Sequence, residues 1–358
     1  PLLESTLQRS FPDDTSSMTE SRHAVYEKLF ATIDSTKMIP YLKSNFYSIP
    51  EKGPSRLVPL EALADRRTEE SILMMKDYLL HGRPLVSSNY WITGAFGNLM
   101  YDTVKEASLL YPEILELLND SMYASGISRL TSHLIDCGLI DVAICEPYAD
   151  VIYHCAETEY SRMEKAAKNQ EDYYYSTLIY SAIDILTRLK SSDQVIQLMN
   201  RIVSDTLLYY KSKPIAYLIN NGKTVDRKII KDYVNADKTN RIFVYNELKK
   251  INRTDVYPKE LKNQKFFAEA DLLNVLSYDD DPPGKIELVE QRRTLYGGTM
   301  QRFYIFKLSW SEDEYYFGVA GPYPDDDQFY FEGMLTQSGY NLKSMSADEQ
   351  FTNLIQQQ

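Results

Sequence analysis

The sequence predicts a mainly α protein, an α-α superhelix of stacked helix pairs followed by a small C-terminal antiparallel β-rich α+β module. Three observations predict it. Apolar residues recur at helical spacing from about residue 20 to residue 276. Helix pairs begin near residues 20, 55, 89, 126, 172, 206 and 238. The chemical period then changes after Tyr278-Asp279-Asp280-Asp281-Pro282-Pro283-Gly284, where alternation with a period of two takes over.

In chain order, residues 1–18 read as an irregular lead-in because Pro1, Pro12, Asp13 and Asp14 interrupt any apolar period. A helix fits from Glu20 through Val25, Leu29, Phe30 and Ile33, and another through Met38, Ile39, Leu42 and Phe46. Leu57, Leu60 and Leu63 form the next stripe, then Ile72, Met75 and Leu79, which His81-Gly82-Arg83-Pro84 stops. Ile92, Phe96, Leu99 and Met100 mark a helix, 104–110 another, and Pro112 opens a turn carrying Ile114, Leu117 and Leu118. Ile127, Leu130 and Leu134 lead to Gly138 as a helix C-cap, and Pro147 opens a long helix with Tyr148, Ile152 and Cys155. Helices follow through Leu178, Ala182, Ile185 and Leu189 and through Val195, Met199, Ile202 and Val203. Others fit at 207–220, 226–234, 241–250 and 258–276.

The pair spacing of roughly 35 to 45 residues is that of helical-hairpin arrays, and without a TPR consensus a HEAT/armadillo-like array fits best. One hairpin cannot cover its own apolar stripe, whereas stacked neighbours can. The helical repeat domain is thus expected over 19–277. Three adjacent carboxylates and two prolines forbid helix continuation at 279–284. Beyond lies the β-rich module, 285–358. Strands are expected at 285–291, at 302–310 with Tyr304, Phe306 and Leu308 on one side, and at 315–320. Gly321-Pro322-Tyr323-Pro324 should break the meander, a short strand is expected at 329–331, and a last helix at 347–356.

Composition excludes several functions. The formal net charge of -12 repels phosphate backbones, and the densest basic stretch, from Lys249 to Lys265, is interrupted by Asp255 and Glu260, so no nucleic-acid partner is expected. No run is apolar enough to span a bilayer. The chain starts at Pro1 without Met, which suggests a piece of a longer precursor. Cys137, Cys145 and Cys155 are odd in number and lack CxxC spacing, which argues for small buried hydrophobes over a zinc site. A single disulfide, Cys145 with Cys155 or Cys137, stays open for an oxidising compartment.

Nucleotide, hydrolase and metalloprotease signatures are missing, and only four histidines occur. No catalytic residue, cofactor or metal site is therefore assigned. His133 and Cys137 would share a helix face beside Asp136, and His154 neighbours Cys155 and Glu157, but neither set supplies a closed ligand shell or a nucleophile pair. The acidic runs 279–281 and 325–327 lack calcium-loop spacing. The 29 tyrosines suit helix seams and binding surfaces. Trp310, Tyr315, Phe317 and Tyr330 in the β-rich module are the candidate binding residues.

Leu110-Tyr111-Pro112-Glu113-Ile114-Leu115, the segment 134–140, Val256-Tyr257-Pro258 and its continuation to Leu273, the strand region 291–308 and the 318–323 turn carry a family likeness. With these stretches the chain resembles the C-terminal helical extension of TraB/GumN-type envelope proteins from Bacteroidota-like bacteria. The resemblance implies an extracytoplasmic protein, periplasmic or associated with the outer membrane, and leaves a cytoplasmic location open. The GxxH motifs of the TraB-like domain have no counterpart here, so no hydrolytic role transfers to any residue. The expected function is a non-catalytic interaction or scaffold module with a protein partner. An accessory domain of an attached hydrolase-like enzyme and a glycan-binding surface are the alternatives. The oligomeric state is left open.

Overall fold

The computed structural model describes residues 35–49, 56–84, 90–100, 104–169, 177–205, 211–276, 283–311, 315–325, 336–338 and 346–356. The expected lead-in, the helix from Glu20 and the 329–331 strand with Tyr330 lie outside them, as do 277–282 of the acidic linker. The protein is mostly helical with a C-terminal antiparallel sheet. It forms two compact units, Pro1–Leu198 and Met199–Gln358.

The first unit contains α1 (Ser35–Asn45), α2 (Leu57–Arg66), α3 (Glu69–His81), α4 (Tyr90–Met100), α5 (Ser121–Asp136), α6 (Ala149–Asn169) and α7 (Thr177–Leu186). Two of these helices start on capping side chains. Thr68 and Ser71 exchange side-chain to backbone hydrogen bonds at the head of α3, and Asp120 accepts the Met122 N–H at the head of α5. Gly138 ends α5 as expected, at φ +67°, with its N–H on Ile135 O and that of Leu139 on Leu134 O. The apolar stripe of α5 buries Ile127, Leu130 and Leu134 completely. Before α2, the buried Arg56 donates to the carbonyls of Ile49, Tyr47 and Gly82 and lies over Phe46, which stacks on Tyr78 with centroids 3.6 Å apart.

Three expectations need correction here. Lys105–Leu110 and Glu113–Asn119 are 3₁₀ segments rather than α-helical turns. Tyr111 is extended at ψ 155°, as a residue before proline prefers, so neither segment can join the other into a longer helix. Pro147 sits inside another 3₁₀ segment, Val142–Tyr148, and the long helix begins after it.

The division between the units falls within α8 (Asp193–Ser204). The second unit continues with α9 (Ser212–Asn220), α10 (Arg227–Ala236), α11 (Asn240–Lys250), α12 (Gln264–Leu276) and, at the end, α13 (Ala347–Gln356). Gly222, at φ +71°, stops α9 as expected, and Asp226 caps α10 by accepting the Lys228 N–H. The helix expected from Pro258 starts only at Gln264, after the 3₁₀ segment Lys259–Leu261, because Asn263 Oδ1 takes the Phe266 N–H.

The sheet runs β1 (Lys285–Tyr296), β2 (Thr299–Ser309), β3 (Tyr315–Pro324) and β4 (Thr336–Ser338), paired in that order and antiparallel. Gly297 and Gly298, both at positive φ, turn β1 into β2. Tyr304, Phe306 and Leu308 share one face, as their alternation predicts, and pack with Ala320 and Tyr323 against Ala268, Leu272 and Leu276 of α12. Phe303, Ile305 and Val319 on the opposite face pack with Phe351 of α13. The sheet thus lies between two helices and shares its unit with the helices that precede it.

The meander does not break at Gly321-Pro322, contrary to expectation, because β3 runs on to Pro324. The register shifts between Arg302 and Tyr304, which gives the proline a place off the regular ladder. Gly321 at φ +142° lies so close to Phe303 that a Cβ would stand 2.7 Å from Cδ1. Only glycine fits this approach.

Candidate functional site

Among the described residues, the sheet of the second unit exposes the outer edge of β1 and its far end around Tyr315. β1 is twelve residues long and, among the described residues, pairs on one side only. Its sequence explains why it can stand at an edge. Lys285, Glu287, Glu290, Arg292 and Arg293 interrupt the apolar pattern, so no continuous apolar face forces it inward. Exposed apolar groups nevertheless gather here, with Val289 51% exposed, Leu295 68% and Met300 49%.

A register shift between Leu288 and Glu290 makes Val289 the extra residue and sets which side chains share a face. Ile286, Leu288, Gln291, Arg293 and Leu295 stand opposite Leu308, Phe306, Tyr304, Arg302 and Met300, on the α12 side. Glu290 and Arg292 stand opposite Ile305 and Phe303, on the α13 side. There Arg292 bonds Glu290 at 2.7 Å, pairs with Asp348 of α13 and lies 4.9 Å over the Phe351 ring. These carboxylates hold the Arg292 guanidinium well above its usual range, and Arg292 in turn draws the Glu290 carboxyl down.

The three described candidate binding residues do not share one face. Trp310 packs on the α12-side cluster, edge-on to Tyr316 at 5.3 Å. Tyr315 and Phe317 make an edge-on pair on the α13 side, and Phe317 packs against the cluster around Phe351. Tyr315 is exposed, with the Lys307 ammonium 3.9 Å from its ring centroid. Tyr330 lies outside the described residues.

Beneath this face a polar junction ties α12 to the end of β3. Gln264 accepts from Tyr304 Oη at 2.9 Å and donates to Pro324 O at 2.9 Å. Arg302, 5% exposed, donates to the carboxylate and the carbonyl of Asp325, and Arg293 reaches the same carboxylate at 2.9 Å. The first aspartate of 325–327 is therefore engaged by two guanidinium groups. That leaves it a structural anchor rather than a free cation ligand.

An open cleft of about 700 Å³ lies between the end of α9, the start of α10 and the turn after α11. Lys223, Arg227 and Arg253 line it beside Asp226 and Asp255. Arg253 and Asp255 bond each other at 2.9 Å, and Asp226 is committed to its cap, so the lining is of mixed sign with no group directed at a reacting centre.

The histidine and cysteine sets resolve as follows. Cys137 Sγ stands 3.7 Å from His133 Nε2 on the exposed end of α5, while Asp136 turns to Arg188. Arg188 also bonds Asp184, which accepts from Ser132 Oγ. Cys155 donates to Leu118 O, and its neighbour His154 is exposed. None of the three cysteines forms a disulfide. Burial pushes the Cys145 thiol up to about 11, with Glu146 adding to the effect, and raises Cys155 as well. Because the thiolate is the reactive form, a higher pKa moves alkylation to higher pH. Titration with a maleimide at pH 8 should label Cys137 first and Cys145 only after unfolding. Equal labelling of Cys137 and Cys145 in the native protein would contradict this order.

Among the described residues, no group of three or more His, Cys, Asp or Glu could hold a metal ion, and no helix is long and apolar enough to cross a membrane. No family model, curated protein or solved structure matches the chain. The open β1 edge escaped sequence reasoning, which looked for aromatic residues. Its available signal was the break in alternation at Val289-Glu290 together with the charge on both faces of the strand.

Proposed function

We propose that the chain is a non-catalytic interaction module whose sheet engages a protein partner along β1. The observation that carries this reading is a twelve-residue strand, paired on one side among the described residues, with Val289 and Leu295 exposed along it. Unpaired strand backbone is a template for another strand, and main-chain hydrogen bonds then supply the affinity. Two features favour protein over glycan. Lys307 covers one face of the Tyr315 ring, and Trp310 packs against the core, so neither presents an open stacking platform.

The helical portions serve as scaffold in this reading, as hairpins of the HEAT/armadillo kind. Packing of α2 against α3 and α4, of α4 against α5, and of α7 against both α5 and α6 in the first unit supports it. Placement in a bacterial envelope, as the TraB/GumN likeness implies, belongs to the same proposal. A photo-crosslinking residue at Leu295 or Val289 should give a discrete adduct in native envelope extract. The same residue at Leu73, an exposed position on α3, should give none. Absence of adducts from both β1 positions, or equal adducts from Leu73, would overturn the reading.

A further inference from the structure

We propose that the partner strand is β1 of a second copy of this chain, paired antiparallel about a two-fold axis through Gln291. This rests on the reading of β1 as a docking edge and names what occupies it. The edge is self-complementary in charge about Gln291 and sets Leu295 against Ile286. Residues directly opposite in an antiparallel pair share a face. With Gln291 facing itself, Glu290 of each copy stands opposite Arg292 of the other, and both lie on the α13 side. Two ion pairs then form across the axis by symmetry, beside the Glu290 and Asp348 contacts that Arg292 already makes within each chain.

The register shift at Val289 extends the match. Because it exchanges faces below Glu290, the pairs that keep both residues on one face are Arg293 with Leu288, Thr294 with Glu287, Leu295 with Ile286 and Tyr296 with Lys285. Leu295, 68% exposed in the single chain, then gains an aliphatic neighbour. Tyr296 meets an ammonium rather than another ring. A centre at Arg293 would instead set arginine against arginine, and like charges directly opposite oppose pairing. The flanking helices leave room, since α12 lies mainly over β3 and β4 and α13 packs mainly on β3 while meeting Arg292 through Asp348 and Phe351. The arrangement is isologous and would continue the sheet through both copies.

Charge reversal tests it on the whole chain. Sedimentation velocity of the wild type should show a concentration-dependent species of twice 41.5 kDa. E290R and R292E should each weaken self-association by about tenfold, because each turns two attractive pairs into two repulsive ones. An equimolar mixture of the E290R and R292E chains should restore association, since the two arginines of the first chain then face the two glutamates of the second. That rescue cannot come from a folding defect in either variant. Q291C in a C137S background should oxidise to a disulfide-linked dimer, because directly opposite Cα atoms stand about 4.5–5.5 Å apart.

A wild type that stays monomeric, or a dimer indifferent to E290R and R292E, overturns self-pairing. If that monomer still gives Leu295 adducts with a different polypeptide, β1 remains a docking edge for another occupant. If Leu295 gives no adduct either, both readings fail.

Discussion

Replacing Glu269 with alanine should lower the stability of the second unit by about 3–5 kcal/mol. Glu269, on α12, accepts from Arg241 Nη1 of α11 at 2.8 Å and from Lys238 Nζ at 2.5 Å. Arg241 is 5% exposed and lies over the Phe266 ring, so it has little access to water if its carboxylate is removed. The cost comes from leaving a buried cation without its counter-charge rather than from the net worth of the pair, which desolvation largely offsets. That distinction is itself testable. The double variant R241M/E269M should recover most of the loss, because two apolar side chains replace two charges. Urea unfolding followed by circular dichroism would measure both. A loss below about 1 kcal/mol in E269A would show that water reaches the guanidinium.

Phe306→Ala should cost about 3–5 kcal/mol, the usual range for deleting a buried aromatic ring. Phe306 is 1% exposed at the centre of the sheet, flanked by Leu288 of β1 and Gly318 of β3, in the cluster that holds Leu272 of α12. Its neighbours have limited freedom to fill the space. Gly318 has no side chain to offer, and a Cβ there would lie 2.8 Å from Leu272 Cδ2, so α12 and β3 are already in close approach. Phe306→Leu should cost less, because a smaller cavity remains. Thermal unfolding of the two variants beside the wild type would order them. Equal melting temperatures for F306A and the wild type would mean that the sheet and α12 do not fold as one cooperative layer.

Much of the local structure was legible in the sequence, for identifiable reasons. Gly138 and Gly222 end helices at positive φ, and residues 347–356 form the last helix as their pattern implies. These are near-neighbour effects, settled within one turn of helix. The alternation of Tyr304, Phe306 and Leu308 was equally clear, because side chains on a strand change face at each residue.

What stayed hidden depends on contacts distant in sequence. Gln264 meets Tyr304 and Pro324 across 40 and 60 residues, and no periodicity reports such a junction. Trp310 and Tyr315 look alike as aromatic residues in the sequence, yet Trp310, just after β2, packs on the α12 side and Tyr315, at the start of β3, pairs with Phe317 on the α13 side. The 3₁₀ segments on either side of Tyr111 carry apolar spacing that reads as helical, and the extended residue before Pro112 prevents its continuation. The candidate site was harder still. An edge is a property of what does not pair with a strand, and the sequence of β1 alone shows only a mixture of charge and apolar groups.

Among the described residues, the two margins of the sheet are unequal, twelve residues at β1 and three at β4. A sheet with two long open margins could accept strands on both and propagate into a fibre. The proposed isologous contact uses the β1 front on both copies at once. Under the proposed pairing, β1 of each copy is taken up by β1 of the other, so that edge offers no strand for further growth.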